Sequence, residues 1–310
     1  MKNHFPLILI GAALVSSCYS DEVVELPENK PLVTVNSINF EPDSNLLIEL
    51  TKSVSFYYSS GHLYIENAEI HIEDEEGAII QLKPIVREYR TVYTSDQRPV
   101  ENKQYKLVVD APGFPITKAV SKIPKPVPIL NLEIDSAYFL EQKQALLLNP
   151  DHVVDFSKAM QCKLIFNDPP NEANYYDVRL YVEGRFDFTN SEGGTETIIR
   201  YYEYPLVDLE TTTAVSMLRD DTKFNGLQYG LQFNIPFHLL FSPIGNLHIV
   251  LTSLNSDRYK YLQTVKLQDL NKYDPFAQPV LIHNNIENGV GIFAGLSKSV
   301  WVLEEPDLDD

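Results

Sequence analysis

Short runs in which apolar and polar residues alternate dominate the chain from residue 31 onward. In Ala68–Glu73, for example, Ile70 and Ile72 fall on one side of an extended strand and the polar residues on the other, as in a half-solvated strand. Such runs are bounded by Gly, Pro, Asn and Asp, and sustained helical periodicity is scarce. The pattern predicts a mainly β fold.

The first part of the chain contains five runs of strand length: Leu32–Phe40, Leu46–Val54, Glu69–Asp74, Ile79–Lys83 and Gln104–Asp110. The acidic segment that ends in glycine, Asp74–Gly77, predicts a hairpin turn between two of them. We therefore predict a small β-sandwich of the immunoglobulin-like or transthyretin-like kind over residues 31–124.

The segment Lys122–Pro128 has three prolines in five residues. Proline supplies no backbone donor to a sheet and favours a stiff, extended connection, so we place a domain boundary here. The second domain, residues 129–303, contains six further strand-like runs: Leu130–Leu140, Gln161–Asn167, Tyr175–Glu183, Glu196–Tyr204, Tyr229–Ile235 and Gly245–Leu254.

One segment of the second domain departs from the β pattern. Asn255–Asp257 offers residue types that cap helices, and apolar residues from Tyr259 to Leu270 then recur at roughly helical spacing up to Tyr273. The sequence therefore predicts a larger, β-rich second domain with one helix. No period of 20–50 residues repeats, so a propeller or solenoid is not supported.

The N-terminus has the order of parts found in a secretory signal. Lys2 precedes an apolar stretch, Leu7–Val15, which is far shorter than the roughly 20 residues that cross a bilayer as a helix. We expect residues 1–17 to be removed after export.

The signal ends in small residues followed by a cysteine, in Val15-Ser16-Ser17-Cys18. This pattern predicts a lipoprotein, with acyl and diacylglycerol groups on Cys18 and no other cofactor. Several acyl chains make membrane attachment effectively permanent, whereas one chain is marginal. The alternative is an ordinary secreted protein with a chance cysteine.

Residues 18–30 are predicted to form an acidic tether. Behind Cys18, the residues Ser20, Asp21 and Glu22 resemble the surface-export signal of Bacteroidota lipoproteins, which implies the outer membrane with the protein facing the cell exterior. The alternative is a solvated tether that is acidic without being a signal.

The chain is strongly acidic, with a formal net charge of −18. Removal of residues 1–17 takes away Lys2 and no acid, and the last residues, 304–310, form an acidic tail. Nucleic acids and anionic lipid headgroups attract clustered Lys and Arg. The charge therefore excludes nucleic acid as a partner and leaves the lipid as the membrane attachment.

Signatures of catalysis are missing from the sequence. The seven histidines are scattered without metal-ligand spacing, and no Gly-x-Ser-x-Gly elbow or phosphate-binding loop occurs. The one cysteine besides Cys18 is Cys162, in a strand-like run where we interpret it as a small buried hydrophobe. We predict that the protein is not an enzyme, although a triad assembled from distant residues stays open.

Two kinds of ligand site stay open. Acidic segments that could attract calcium are Asp74–Gly77, Asn167–Asp168 and Asp307–Asp310, although solvated turns are the simpler interpretation. Aromatic residues that could stack on sugars or anchor an interface are Tyr57–Tyr58, Tyr201–Tyr202 and Trp301. Neighbours in a strand point to opposite faces, so part of each pair belongs to a core.

Eight segments, taken in order, carry a resemblance: the signal ending at Cys18, Pro31–Val35, the proline-rich midpoint, Asn174–Val182, Asp220–Gly226, the helix around Tyr259–Leu262, Pro275–Phe276 and Asn285–Phe293. Together they resemble a Bacteroidota lipoprotein family known as domain of unknown function 4249. The last segment is the most specific, and we interpret its glycines as structural. The first half departs more from the family, notably in an insertion at Lys52–Leu63.

The resemblance supplies no catalytic residues. It implies a partner, because members of the family are encoded beside TonB-dependent-receptor-like outer-membrane proteins. We therefore expect a surface lipoprotein that serves as an accessory subunit of such a β-barrel, in nutrient uptake or in outer-membrane protein assembly. The alternatives are a glycan- or peptide-binding lipoprotein and a hydrolase.

Overall fold

The computed structural model describes residues 30–42, 44–54, 63–135, 137–149, 152–153, 159–189, 194–208, 217–236, 239, 245–274 and 276–304. The chain divides into a large unit, Leu32–Ser53 with Ser60–Asp310, and a small unit, Met1–Pro31 with Val54–Ser59. The predicted signal peptide, most of the predicted tether and all but Glu304 of the predicted tail lie outside the described residues.

The described residues of the large unit form short strands and two helices. In chain order these are β1 (Val33–Phe40), β2 (Leu46–Lys52), β3 (Leu63–Tyr64), β4 (Glu69–Asp74), β5 (Ile79–Arg87), β6 (Arg90–Ser95), β7 (Gln104–Asp110), β8 (Thr117–Lys122), β9 (Ile129–Ile134), α1 (Ala137–Leu148), β10 (Ala159–Asn167), β11 (Tyr175–Thr189), β12 (Thr195–Tyr204), β13 (Val207–Asp208), β14 (Arg219–Asp220), β15 (Gln228–Pro236), β16 (Leu247–Leu254), α2 (Ser256–Asn271), β17 (Ile286–Glu287) and β18 (Gly289–Leu303).

The first half of the large unit is a β-sandwich. Strands β18, β1, β2 and β6 lie in one layer, and β4, β7, β8 and β17 lie in the other. Strand β5 belongs to both, because Ile79–Leu82 pair with β4 and Lys83–Arg87 pair with β6. Alternate residues of both layers meet in one core, with Val33, Val35, Ile48, Leu50, Ile70, Ile72, Leu107 and Val109 at most 1% exposed. The predicted mainly β class with an N-terminal sandwich is confirmed.

The predicted turn at Asp74–Gly77 joins β4 to β5. Asp74 Oδ1 accepts hydrogen bonds from the backbone N–H groups of Glu76 at 3.0 Å and Ala78 at 2.8 Å. Gly77 has a φ of 84°, which glycine adopts without steric cost. These contacts make the acidic segment a hairpin turn.

The second half is built around a four-stranded sheet in the order β13–β15–β10–β9. It packs against β11, β16 and β18 of the large sheet, and the two faces share a core that includes Leu164, Phe166, Tyr176, Val178, Leu180, Phe233, Ile235, Ile249 and Leu251. Strand β12 extends the large sheet beyond β11.

The last strand contributes to both cores. Gly289–Gly295 pair with β1 in parallel, and Leu296–Leu303 pair with β16 antiparallel. Phe293 lies in the core of the sandwich, while Trp301 packs against the second core. Strand β18 therefore links the first and second halves of the large unit. The domain boundary predicted at the proline-rich segment stays a prediction.

Helix α2 begins as predicted, since the Asn255 side chain caps it by accepting a hydrogen bond from Arg258 N at 2.9 Å. The predicted strand Leu130–Leu140 is wrong in its second half. Strand β9 ends at Ile134 and α1 begins at Ala137, where Asp135 Oδ1 accepts from Ala137 N at 3.3 Å. The Glu, Gln, Lys, Ala and Leu residues that follow favour a helix, so α1 adds a second helix to the one predicted.

Candidate functional site

Part of the predicted chemistry falls outside the described residues. This is true of Cys18, of the export signal Ser20, Asp21 and Glu22, and of Tyr57–Tyr58. Their roles stay predictions.

Two of the predicted aromatic positions are described. Tyr201 and Tyr202 on β12 are 58% and 42% exposed, and their neighbouring positions in the strand place them on opposite faces. Trp301 packs against the second core. Trp301 is therefore a packing residue, whereas the two tyrosines belong to an open surface.

The other cysteine is structural. Cys162 lies on β10 and is 3% exposed, and burial raises the pKa of its thiol to about 12. A neutral, buried thiol packs as a small hydrophobe, as predicted.

Within the described ranges, no three His, Cys, Asp or Glu side chains are grouped so that they could hold a metal ion. Neither of the helices α1 and α2 is both long and apolar enough to cross a membrane.

The family segment Asn285–Phe293 holds the last strand in place. The Asn285 side chain donates to Phe293 O at 2.8 Å and accepts from Phe293 N at 3.0 Å. It also donates to Asp257 Oδ2 at 3.3 Å, and Asp257 Oδ1 lies 2.9 Å from His283 Nε2. These bonds join the segment to the first turn of α2, which agrees with the structural interpretation of this motif.

The family segment Asp220–Gly226 is a loop closed by buried carboxylates. Asp221 Oδ2 accepts from Asn174 N at 2.9 Å and from the Asn225 side chain at 3.1 Å. Asp168, which is 4% exposed, accepts from the Tyr176 hydroxyl and from Gly226 N at 2.8 Å. Protein donors thus occupy both oxygens of Asp168, so this motif also serves the fold.

The strongest candidate for function is the end of the β5–β6 hairpin, residues Val86–Arg90, here named the β5–β6 tip. Glu88 and Tyr89 both have positive φ, at 50° and 65°, and Arg87 pairs with Arg90 on either side of them. This is a two-residue turn of the kind that strongly favours Asn-Gly, because a Cβ atom is strained in the left-handed region.

The side chains at the β5–β6 tip project into solvent. Tyr89 is 100% exposed and Val86 is 79% exposed. Two arginines flank the turn, in a chain whose net charge is −18. Strained backbone that displays an exposed aromatic side chain is a feature found at functional sites.

A polar cleft of 580 Å³ adjoins the β5–β6 tip. Leu47 and Val92 supply its apolar part, and the remaining lining residues are polar or charged: Asn36, Asn39, Glu41, Ser44, Asn45, Glu49, Arg87, Glu88 and Arg90. Arg87, Glu88 and Arg90 belong to both the tip and the cleft, so the two form one continuous surface.

Behind the cleft lies a charge cluster in which Glu41, Asp177 and Arg258 are buried, Arg179 is partly buried and Lys298 is exposed. Arg179 Nε donates to Asp177 Oδ2 at 2.7 Å, and Lys298 Nζ lies 2.6 Å from Glu41 Oε2. Arg258 Nη2 donates to Asn39 Oδ1 at 3.3 Å. Because Asn39 and Glu41 also line the cleft, the cluster supports its wall.

Arg258 is stabilised more by the charges of nearby carboxylates than by hydrogen bonds of its own. It is 8% exposed, its Nε and Nη1 atoms make no hydrogen bond within the described structure, and burial lowers its pKa to about 10. Asp177, which is 2% exposed, and Glu41 oppose that effect through their negative charges. The two buried carboxylates therefore keep Arg258 charged at the start of α2.

Replacing Asp177 with asparagine is expected to lower the free energy of unfolding by about 3 kcal/mol, because it removes the charged partner of Arg179 Nε and one of the two carboxylates that offset the buried charge of Arg258. Urea unfolding monitored by circular dichroism measures the loss. The double variant Asp177→Asn/Arg258→Met removes one charge of each sign and is expected to lose at least about 1 kcal/mol less than the sum of the single variants. Additive losses would contradict coupling between these residues.

The β5–β6 tip is not among the features predicted from the sequence. The segment Val86–Val92 has β-branched residues on both sides of Glu88-Tyr89, which is the spacing of a two-residue hairpin. The absence of Asn or Gly at the turn concealed that signal. The burial of Arg258 was not predicted either, since nothing local marks a helix arginine as buried.

Two solved structures show a partial similarity to this chain. A DUF4785 family protein from Legionella pneumophila is 11% identical with a TM-score of 0.23, over 72% of this chain and 51% of that one. The C-terminal globular domain of an oligosaccharyltransferase from Pyrococcus abyssi is 10% identical with a TM-score of 0.19, over 83% of this chain and 42% of that one. The chain thus spans about half or less of each.

No curated protein has a significant match to this sequence. A family model does match, under the description "Domain of unknown function (DUF4249)", and it covers residues 20–300. That range includes both cores, the β5–β6 tip and the motifs around Asp221 and Asn285. The chain therefore belongs to the DUF4249 family.

Proposed function

We propose that this protein is a non-catalytic surface lipoprotein, attached to the outer membrane through lipid on Cys18, that serves as an accessory subunit of a TonB-dependent-receptor-like β-barrel. Its docking surface for the barrel is the β5–β6 tip together with the polar cleft. The observation that carries this proposal is the fully exposed Tyr89, held in a left-handed turn between two arginines.

Tyrosine and arginine are, with tryptophan, the residue types most enriched among the residues that dominate binding at protein interfaces. Tyr89 offers a large, stiff contact area, and Arg87 and Arg90 can bind carboxylates or backbone carbonyls of a partner. The cleft behind them offers asparagine side chains as adaptable hydrogen-bonding groups. The left-handed turn also lowers the stability of the free protein. Strained conformations of this kind persist at functional surfaces, where binding or activity requires them.

The double variant Glu88→Asn/Tyr89→Gly is expected to stabilise the free protein while it removes binding. Relief of the left-handed strain should raise the free energy of unfolding by about 1–2 kcal/mol. Loss of an interface tyrosine should lower recovery of the barrel by at least about tenfold. The measurements are urea unfolding and purification of the C-terminally tagged protein from detergent-solubilised native membranes.

Asn102→Gly is a matched control, because Asn102 also has a positive φ, 59°, at a turn outside the cleft. It should keep full recovery of the barrel. If the unmodified lipoprotein were recovered without a barrel protein, the accessory role would be contradicted. Equal recovery with the original chain and with the double variant would leave that role in place and exclude the β5–β6 tip as the interface.

A further inference from the structure

Strand β12 lies at the edge of the large sheet. It pairs with β11 along one side, from Leu180↔Tyr204 to Thr189↔Thr195, and no strand of the described chain pairs with its other side. Nine of its ten residues are exposed. Along Thr195–Tyr201, backbone N–H and C=O groups on this edge can therefore pair with another strand.

Several features that often protect an edge strand are missing from β12. Its sequence, Thr-Glu-Thr-Ile-Ile-Arg-Tyr-Tyr-Glu-Tyr, has no proline and no lysine, and its register with β11 runs without a bulge. β-branched and aromatic residues favour strand pairing. Ile198, Ile199 and Tyr201 are 39%, 51% and 58% exposed, so the strand offers apolar side chains on both faces.

We propose that β12 pairs with β12 of a second copy of this chain, antiparallel and centred on Ile198. In that register Ile198 lies opposite Ile198 of the second copy. Glu196 lies opposite Arg200, and by symmetry Arg200 lies opposite Glu196, so each copy supplies one half of two ion pairs. Thr195 then lies opposite Tyr201, and Thr197 lies opposite Ile199. This self-complementarity is what a two-fold interface requires.

Neighbouring registers are less complementary. Centring the pair on Ile199 places Arg200 opposite Ile198 and Glu196 opposite Tyr202, so neither charged residue has an opposite charge as its partner. Centring it on Arg200 places two arginines opposite each other, which is unfavourable across a strand pair. Within this set, charge selects the register centred on Ile198.

The adjacent strand extends the match. Phe186 on β11 lies opposite Ile198 on β12, and Phe186 is 40% exposed. In the paired sheet a row of four apolar side chains, Phe186 and Ile198 from each copy, runs across the interface on one face. Cross-strand apolar pairs of this kind stabilise a sheet. The pairing does not depend on the proposed barrel partner.

Cysteine cross-linking of the full chain, solubilised in detergent, tests the register. Opposed residues in an antiparallel pair have Cα atoms about 4.5–5.5 Å apart, within the range for a disulfide, so Ile198→Cys should give a covalent dimer upon mild oxidation. Arg200→Cys is also on β12, but in the proposed register residue 200 lies opposite residue 196 of the second copy and not opposite residue 200. It should therefore link at least about tenfold less than Ile198→Cys. Cys162 is buried and should not contribute.

Charge reversal tests the ion pairs in the Ile198→Cys chain. Adding either Glu196→Arg or Arg200→Glu alone places like charges opposite each other and should lower cross-linking about tenfold. Adding both exchanges the charges and should restore it. Failure of Ile198→Cys to link, linking by Arg200→Cys at an equal rate, or loss of linking in the exchanged variant would each overturn the proposal. If a different protein occupied the β12 edge, Ile198→Cys would fail to link.

Discussion

Gly291→Ala is expected to destabilise the protein strongly. Gly291 has a φ of 114°, and a Cβ atom added there would lie 2.0 Å from Val35 O and 3.0 Å from Val35 C. Both of these are backbone atoms of β1, which pairs in parallel with β18 at this position. The clash cannot be relieved by a side-chain rotation, so either the strand pair separates or the backbone of both strands moves.

The expected loss is at least about 4 kcal/mol, since overpacking and a forbidden φ act together. A domain is stabilised by only about 5–15 kcal/mol in total, so this loss is a large part of it. Urea unfolding of the full chain, followed by circular dichroism, measures the change in midpoint. The β1–β18 pair also closes the sandwich core at Val33 and Val35, both at most 1% exposed, so the loss should extend to the whole sandwich.

Gly77→Ala is the matched control. Gly77 also has a positive φ, 84°, but a Cβ atom there would meet nothing within 4 Å. Its expected cost is the backbone term alone, about 1–2 kcal/mol, and the variant should fold. If the two variants lost the same amount of stability, the close approach of β1 to Gly291 would be contradicted.

Cys18→Ala is expected to move the protein from the membrane fraction to the soluble fraction. Each CH₂ group of the acyl chains that is buried in the membrane contributes roughly 0.8 kcal/mol to attachment. The substitution removes the acyl chains and with them this whole contribution. Cell fractionation followed by immunoblotting of the tagged chain measures the change. Cys162→Ala is the control, because this buried cysteine carries no lipid and its loss should leave the protein in the membrane fraction.

Attachment and export are separated by the double variant Asp21→Asn/Glu22→Gln. If Asp21 and Glu22 form the export signal, the variant stays in the membrane but is protected from protease added to intact cells. A Cys18→Ala protein that remained at the cell surface would contradict the lipid anchor itself. Retention of surface exposure in the double variant would contradict the signal and leave the anchor in place.

Local signals account for the features that were predicted correctly. The turn at Asp74–Gly77 depends on a carboxylate that binds nearby N–H groups and on one glycine, and the start of α2 depends on the Asn255 cap. Both interactions occur within a few residues. Alternation of apolar and polar residues placed most strands to within a few residues for the same reason, because it reports which face of a strand is buried.

The two errors have different causes, an ambiguous local pattern in the first and a distant strand pairing in the second. The apolar residues between Leu130 and Leu140 allowed either a strand or a helix, and Asp135 with the helix formers behind it decides for α1 after Ile134. At the β5–β6 tip the residues Glu88-Tyr89 lack the usual turn signal. Pairing of Lys83–Arg87 with β6 forces the left-handed conformation on them.

The sequence alone determined the mainly β class, the principal helix and the family, because each depends on neighbouring residues or on a motif. The lipid anchor at Cys18 stays a prediction from the sequence. Only the tertiary structure decided that β18 joins both cores, that Arg258 is buried beside Asp177, and that Gly291 must lack a side chain. It also revealed the exposed Tyr89 and the open edge of β12. These features depend on which distant segments meet, and no local pattern in the chain records that.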